Sequence, residues 1–260
     1  PILSIDASTQ NVYHFSDTDK NISLLDISET FGTYDGSFVL YDNNLDSWKI
    51  YDLEEATKRI PPESTYKIYD ALLGLESGII TPEHSSMTWN GDAFPFPSWE
   101  ADQDLNSAMQ NSVNWYFQAI DSQLGINRVQ EFLNKIEYGN QTTSSNLDLY
   151  WSDFSLKISP LEQVTLLKKF NTNEFHLNFQ NVFSVKNAIK IASTPNGNFY
   201  GKTGTGRVNG QDINGWFIGY VETSDNSYYF ATNIQSDSNA TGKKAFEITS
   251  DILKKLHIWN

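Results

Sequence analysis

Three short groupings in this chain combine residue types suited to acyl transfer. The first is Ser64 and Lys67, three residues apart and just past Pro61-Pro62. Proline suits the entry to a helix but not its interior. Beyond it, Tyr66, Ile68, Tyr69, Ala71, Leu72 and Leu75 carry an apolar pattern to Gly78, with Gly74 as the one weak point. A helix here sets Ser64 and Lys67 on one face, one turn apart. Its N-terminal end also presents unpaired N–H groups and a favourable dipole beside the serine. That arrangement puts a hydroxyl nucleophile against an amine base. Taken alone, Ser-x-x-Lys reads more readily as a helix cap and a surface lysine, since about one match arises by chance in a chain this long.

The other two groupings follow in order, Ser112-Val113-Asn114 and Lys202-Thr203-Gly204. Singly, Ser112 reads as a mid-helix serine bonded to a carbonyl and Lys202 as an exposed strand lysine. The set and its order resemble the penicillin-recognising serine acyltransferases, namely the penicillin-binding proteins and serine β-lactamases. Tyr138-Gly139-Asn140 is similar to the Tyr-Gly-Asn element of class D β-lactamases. Met87-Thr88-Trp89-Asn90-Gly91 with Trp99, Asp102 and Leu105, and Tyr150-Trp151 ahead of Leu156-Lys157-Ile158-Ser159, resemble that class too. The similarity runs from about Phe38 to the C-terminus. Asn106 to Phe117, the Ser64 helix and Gly201-Lys202-Thr203-Gly204-Thr205-Gly206 look most like the β-lactam sensor domains of the BlaR/MecR signal transducers.

The resemblance implies a fold and a division of roles. The fold is α/β (α+β), transpeptidase-like, with an antiparallel sheet flanked by helices plus a helical subdomain. Ser64 is the nucleophile, and Lys67 serves as base only when neutral, a state that burial favours. In class D relatives the corresponding lysine takes up carbon dioxide, so N-carboxylysine at Lys67 is the one adduct implied; no other cofactor is. Ser112 relays a proton between Lys67, Lys202 and the β-lactam nitrogen. Lys202 and Thr203 meet the ligand carboxylate, with Gly204 beside them, and the N–H groups of Ser64 and Thr205 form the oxyanion hole. Asn114 and Trp151 complete the expected ligand contacts.

Release of the acyl group separates two readings. Class D hydrolases carry Ser-x-Val, whereas Ser112-Val113-Asn114 places an amide there. The expectation is that Asn114 destabilises a Lys67 carbamate once Ser64 is acylated, so the deacylating base is lost. Lys243-Lys244-Ala245-Phe246 also lacks the arginine that class D enzymes commonly place on the last helix. A lifetime longer by ~10⁵ needs only about 7 kcal/mol in the deacylation barrier. The reading is therefore an extracellular β-lactam receptor domain, acylated at Ser64, slow to release and signalling antibiotic presence to induce resistance. A secreted class D β-lactamase and a small cell-wall transpeptidase are the alternatives. The resemblance further implies a place on the outer face of a bacterial membrane, joined to membrane helices and a cytoplasmic zinc protease.

The rest of the chain must position these residues. Ser37–Asp42 and Trp48–Tyr51 read as a hairpin, and Phe199–Gly204, Gly215–Val221 and Tyr228–Asn233 as three strands joined at Asn209-Gly210 and Asp225-Asn226. Between them a helical region of about 64–195 is expected, inserted within a single 1–260 domain. It holds an aromatic loop over 78–102, one helix from Leu105 to near Gly125, and others at Val129–Ile136, at 160–167 and around Val185–Ile191. A final amphipathic helix carries Ala245, Ile248, Ile252 and Leu256.

Composition narrows the chemistry. Thirty-two acidic against 18 basic residues give a net charge of −14. A field of that sign repels polyanions, so nucleic acid is not an expected partner, and an anionic ligand needs a local lysine cluster. No cysteine is present, which removes thiolates and disulfides. His14, His84, His176 and His257 are too scattered for a metal set. No apolar run reaches a membrane span, and the chain opens on Pro1, which reads as a processed protein or an excised fragment.

Overall fold

The computed structural model describes residues 21–260; Pro1 and His14 lie outside the described residues. In chain order the elements are β1 (Ile22–Leu24), α1 (Ser28–Phe31), β2 (Asp35–Asp42), β3 (Ser47–Tyr51), α2 (Leu53–Thr57), α3 (Lys67–Glu76), α4 (Leu105–Gln110), α5 (Asn114–Leu124) and α6 (Ile126–Ile136). They continue as α7 (Pro160–Asn171), α8 (Phe179–Ala188), β4 (Lys190–Thr194), β5 (Gly197–Val208), β6 (Gln211–Glu222), β7 (Ser227–Gln235) and α9 (Gly242–Lys255). The sheet order is β1-β3-β2-β7-β6-β5-β4. All neighbours pair antiparallel except β1 with β3, so the sheet is mixed rather than purely antiparallel.

The expected hairpin pairs with the last strand, Asp35 opposite Gln235, and so completes the C-terminal sheet. Asn209 and Gly210 both adopt positive φ, as a two-residue turn matched to strand twist requires. Alternate side chains of β2, β6 and β7 go to opposite faces. Phe38, Leu40, Phe217 and Phe230 meet α1 and the apolar stripe of α9. Val39, Tyr41, Ile218 and Ala231 join a larger core with α3, α5 and α7. Ser159 and Glu162 form the capping box that opens α7 ahead of Pro160. The Glu162 carboxylate also takes a buried Arg59 guanidinium at 2.6 Å, fastening the segment before Ser64 to α7.

Four expectations change. Ser64 lies not in an α-helix but in a 3₁₀ turn, Glu63–Tyr66, that feeds α3. The single helix expected from Leu105 to Gly125 is two, α4 and α5, broken where Ser112 takes a φ of 54°. The helix placed around 185–191 ends at Ala188, and β4 follows as an edge strand. That strand belongs to the sheet although it falls within the range expected to be helical. The aromatic loop is pinned at its base by Met87 and Gln103, which exchange backbone bonds, and at Trp99, whose indole N–H donates to the Asn111 carbonyl. Among the described residues, no helix is long and apolar enough to cross a membrane.

Candidate active site

β4 covers β5 only as far as Tyr200. Beyond that point the outer edge of β5 faces the 3₁₀ turn, and this junction creates the site. The two segments nearly touch: a Cβ on Gly204 would stand 3.2 Å from the Ser64 nitrogen, and one on Gly206 would collide with the Glu63 carboxyl. Glu63 itself holds a φ of 52°, an unusual conformation for a non-glycine residue, immediately before the serine. Its neighbourhood explains why it persists. Pro61 accepts from Asn214 Nδ2 and Trp216 Nε1, and Asn214 Nδ2 also donates to Glu63 Oε1. The Glu63 N–H donates to the Trp151 carbonyl.

Four of the expected residues converge here. Lys67 Nζ lies 2.8 Å from Ser64 Oγ, and Lys202 Nζ donates to Ser112 Oγ at 2.5 Å. Both amines are buried. Burial pulls Lys67 down to about 7, against the opposing charges of Asp70, Glu63 and Asp121. Lys202 is held well below the ordinary lysine range by burial and by the charge of Lys67. A free amine at Lys67 can accept the Ser64 hydroxyl proton, which an ammonium cannot. The α4–α5 break is what turns Ser112 toward Lys202 instead of leaving it bonded within a helix.

Asn114, the first residue of α5, points inward: Lys67 Nζ donates to its Oδ1 at 2.7 Å. Thr203, Gly204 and Thr205 line a cleft of about 460 Å³ together with Ser64, Ser112 and Asn114. Thr205 Oγ1 accepts from the Gly242 N–H, which joins this strand to the start of α9. Trp151 departs from expectation. It is buried on the far side of Lys67, its ring 5.6 Å from Nζ and stacked on Tyr66, and does not line the cleft. Its side chain packs against the lysine that reaches Ser64. The Tyr138-Gly139-Asn140 element holds the Trp151 loop in place, since Asn140 bonds both the N–H and the carbonyl of Lys157 and the Ser155 carbonyl.

Phe96 and Trp99 of the aromatic loop also line the cleft, as do Asn111, Arg207 and Asp212, to which no sequence motif assigns a role. Nothing in the composition of the aromatic loop marks it as the rim of a cleft. Arg207 stands two residues beyond Thr205 on β5, across a register shift between Gly206 and Arg207, so plain strand alternation does not reveal it. Its guanidinium pairs with Asp212 at 2.7 Å.

Comparison with known proteins agrees with this geometry. The family described as the penicillin binding protein transpeptidase domain matches residues 36–254. Regulatory protein BlaR1 of Bacillus licheniformis is 46% identical over 241 residues, 92% of this chain and 40% of BlaR1. The methicillin resistance mecR1 protein of Staphylococcus aureus is 40% identical over 258 residues, 99% of this chain and 43% of that protein. The chain thus spans less than half the length of these relatives. Among solved structures, the C-terminal domain of the Bacillus licheniformis BlaR penicillin-receptor superposes with a TM-score of 0.90 at 46% identity, over 92% of this chain and 98% of that one. Class D β-lactamase BAT-2 gives 0.85 at 36% identity, over 91% and 97%. The chain belongs to the penicillin-binding protein transpeptidase-domain family, within the group formed by the BlaR/MecR sensor domains and the class D β-lactamases.

Proposed function

We propose that this single domain is a β-lactam receptor that is acylated at Ser64 and holds the acyl group. Lys67, as a free amine, takes the Ser64 hydroxyl proton while Oγ attacks the lactam carbonyl carbon. The N–H groups of Ser64 and Thr205 steady the developing oxyanion. The ring C–N bond breaks, Ser112 passes its hydroxyl proton to the leaving nitrogen, and the proton that Lys67 took from Ser64 moves to Ser112 while Lys202 holds its Oγ. Lys202 and Thr203 also meet the ligand carboxylate, which a chain of charge −14 could not otherwise attract.

The observation that carries the receptor reading is the Lys67–Asn114 hydrogen bond. Deacylation needs a base free to activate water. Asn114 engages the amine that bonds Ser64, and it competes for that amine with carbon dioxide. Lys67 fits an N-carboxy group in one respect, since burial moves it toward the neutral form that carbon dioxide requires. A carbamate there would supply a stronger base, and the Asn114 contact is what limits it. In the longer relatives such a domain is part of a regulatory protein. We infer the same here: an outer-face sensor joined to membrane helices and a cytoplasmic protease, reporting antibiotic to induce resistance.

The likeness to class D β-lactamases supports hydrolysis as the second reading. Intact mass decides between them. With excess penicillin, a one-to-one adduct lasting hours supports the receptor, and rapid return to the free mass with bulk hydrolysis sinks it. Ser64→Ala should abolish the adduct without altering the thermal midpoint by more than a degree or two.

A further inference from the structure

A second polar layer lies beneath the site, in the seam between α3 and α5. Lys67 opens α3 and Asp70 follows one turn on; Asn114 opens α5 and Asp121 follows two turns on, on the same face. Lys67 and Asn114 bond across the seam in the upper layer, and the Asp70 and Asp121 carboxyls meet across it in the lower. Gly74 permits this closeness, since a Cβ there would stand 2.9 Å from Ile120 Cγ2. Both aspartates are wholly buried. Tyr150 Oη donates to Asp121 Oδ1 at 3.4 Å, but among the described residues nothing donates to Asp121 Oδ2 or to either oxygen of Asp70.

Two carboxylates contain no donor between them. Facing each other in a dry seam, both ionised, they would repel and leave three oxygens unpaired. A proton on one carboxyl converts the contact into a hydrogen bond and removes the repulsion. We propose that Asp70 and Asp121 are positioning residues for Ser64 acylation, a proton-sharing carboxyl pair that governs whether the Lys67 amine in the layer above is charged. This rests on the reading of Ser64 and Lys67 as nucleophile and base.

The seam offers one proton two homes. On the carboxyls, it leaves Lys67 a free amine ready to take the Ser64 proton. On Lys67, it leaves an ammonium above two facing carboxylates, and the site is idle. The remaining groups that face the pair or the amine are Glu63, Tyr66, Tyr116, Asp148, Tyr150 and Lys202. Burial holds the three tyrosines and Glu63 in their protonated forms, so none of them substitutes for the pair as a source of negative charge at neutral pH. Asp148 acts on Asp121 in the same sense as Asp70 does, pushing it toward the protonated form.

The test is the pH profile of the acylation rate with penicillin. Asp70→Asn combined with Asp121→Asn keeps the shape but deletes the shared negative charge, so the free amine appears at lower pH. The midpoint of the acid limb should fall by about one unit, with the plateau rate kept within about threefold. A midpoint that stays in place or rises overturns the proposal. A second measurement needs no variant: carboxyl NMR of the unmodified protein labelled with [4-¹³C]aspartate. Two resonances titrating well above the ordinary aspartate range support the pair, and a set confined to the ordinary range overturns it. If the unmodified protein formed no Ser64 adduct at all, the acylation reading would fail while the NMR result still decided the pair.

Discussion

The two faces of the sheet are built from opposite materials. Under α9, the core is Phe31, Phe38, Phe199, Phe217, Phe230, Ile234, Ile248 and Ile252, and its buried hydroxyls Thr232 and Thr249 satisfy each other. On the other face the same depth of burial accommodates Lys67, Asp70, Asp121 and Lys202, with Glu63 at the strand edge. The first face stabilises the fold by removing apolar surface from water. The second spends some of that stability on ionisable groups that burial drives toward their neutral forms, the state the chemistry requires of Lys67. Substitutions on the two faces should therefore have opposite signs.

The largest stability effect belongs to the apolar face. Phe230→Ala should cost about 3–5 kcal/mol in urea unfolding, while the fraction that remains folded still forms the penicillin adduct. On the polar face the sign reverses with Glu63→Gln. Burial raises the Glu63 carboxyl from 4.5 to about 8, so the folded protein keeps a proton that the unfolded chain gives up. Stability is then lost as pH rises from about 4.5 to about 8 and is level above that. Glu63→Gln should match the parent near pH 4 and gain about 2–4 kcal/mol at pH 8; an equal offset at both pH values would break the contrast.

Asn114→Val sharpens the comparison through kinetics. Freeing Lys67 should shorten the acyl lifetime about tenfold, or about 1.4 kcal/mol of barrier, read as decay of the adduct mass. An unchanged lifetime would remove Asn114 as the brake. The smallest effect is expected on the outer side of α9, where Lys244 and Glu247 pair at 3.3 Å in solvent. Lys244→Ala should shift stability by less than about 0.5 kcal/mol.

Legibility in sequence followed the same division. The sheet's apolar alternation and turn residues exposed the hairpin and the three C-terminal strands, and the spacing of Ser64, Lys67, Ser112 and Lys202 exposed the site. The break at Ser112 is hidden because the apolar period runs through it with no glycine or proline; a left-handed Ser112 followed by an extended Val113 interrupts the helix. Edge strand β4 was hidden because its residues are mostly exposed and carry no buried alternation. Asp70 and Asp121 sat at helical positions where an acid ordinarily faces water. Their meeting depends on the approach of two helices that Gly74 allows, a tertiary fact that local pattern does not carry.

The pairing of β2 with β7 has a consequence in time. Asp35 waits for Gln235, and Lys202 lies on a strand that joins the sheet only through β6 and β7. Contacts so distant along the chain close slowly and late. A chain emerging N-terminus first would expose Ser64 long before its partners exist, so the nucleophile stays inert until the final quarter has been made. The domain should acquire reactivity in a single late step, and fragments ending before β7 should bind no penicillin.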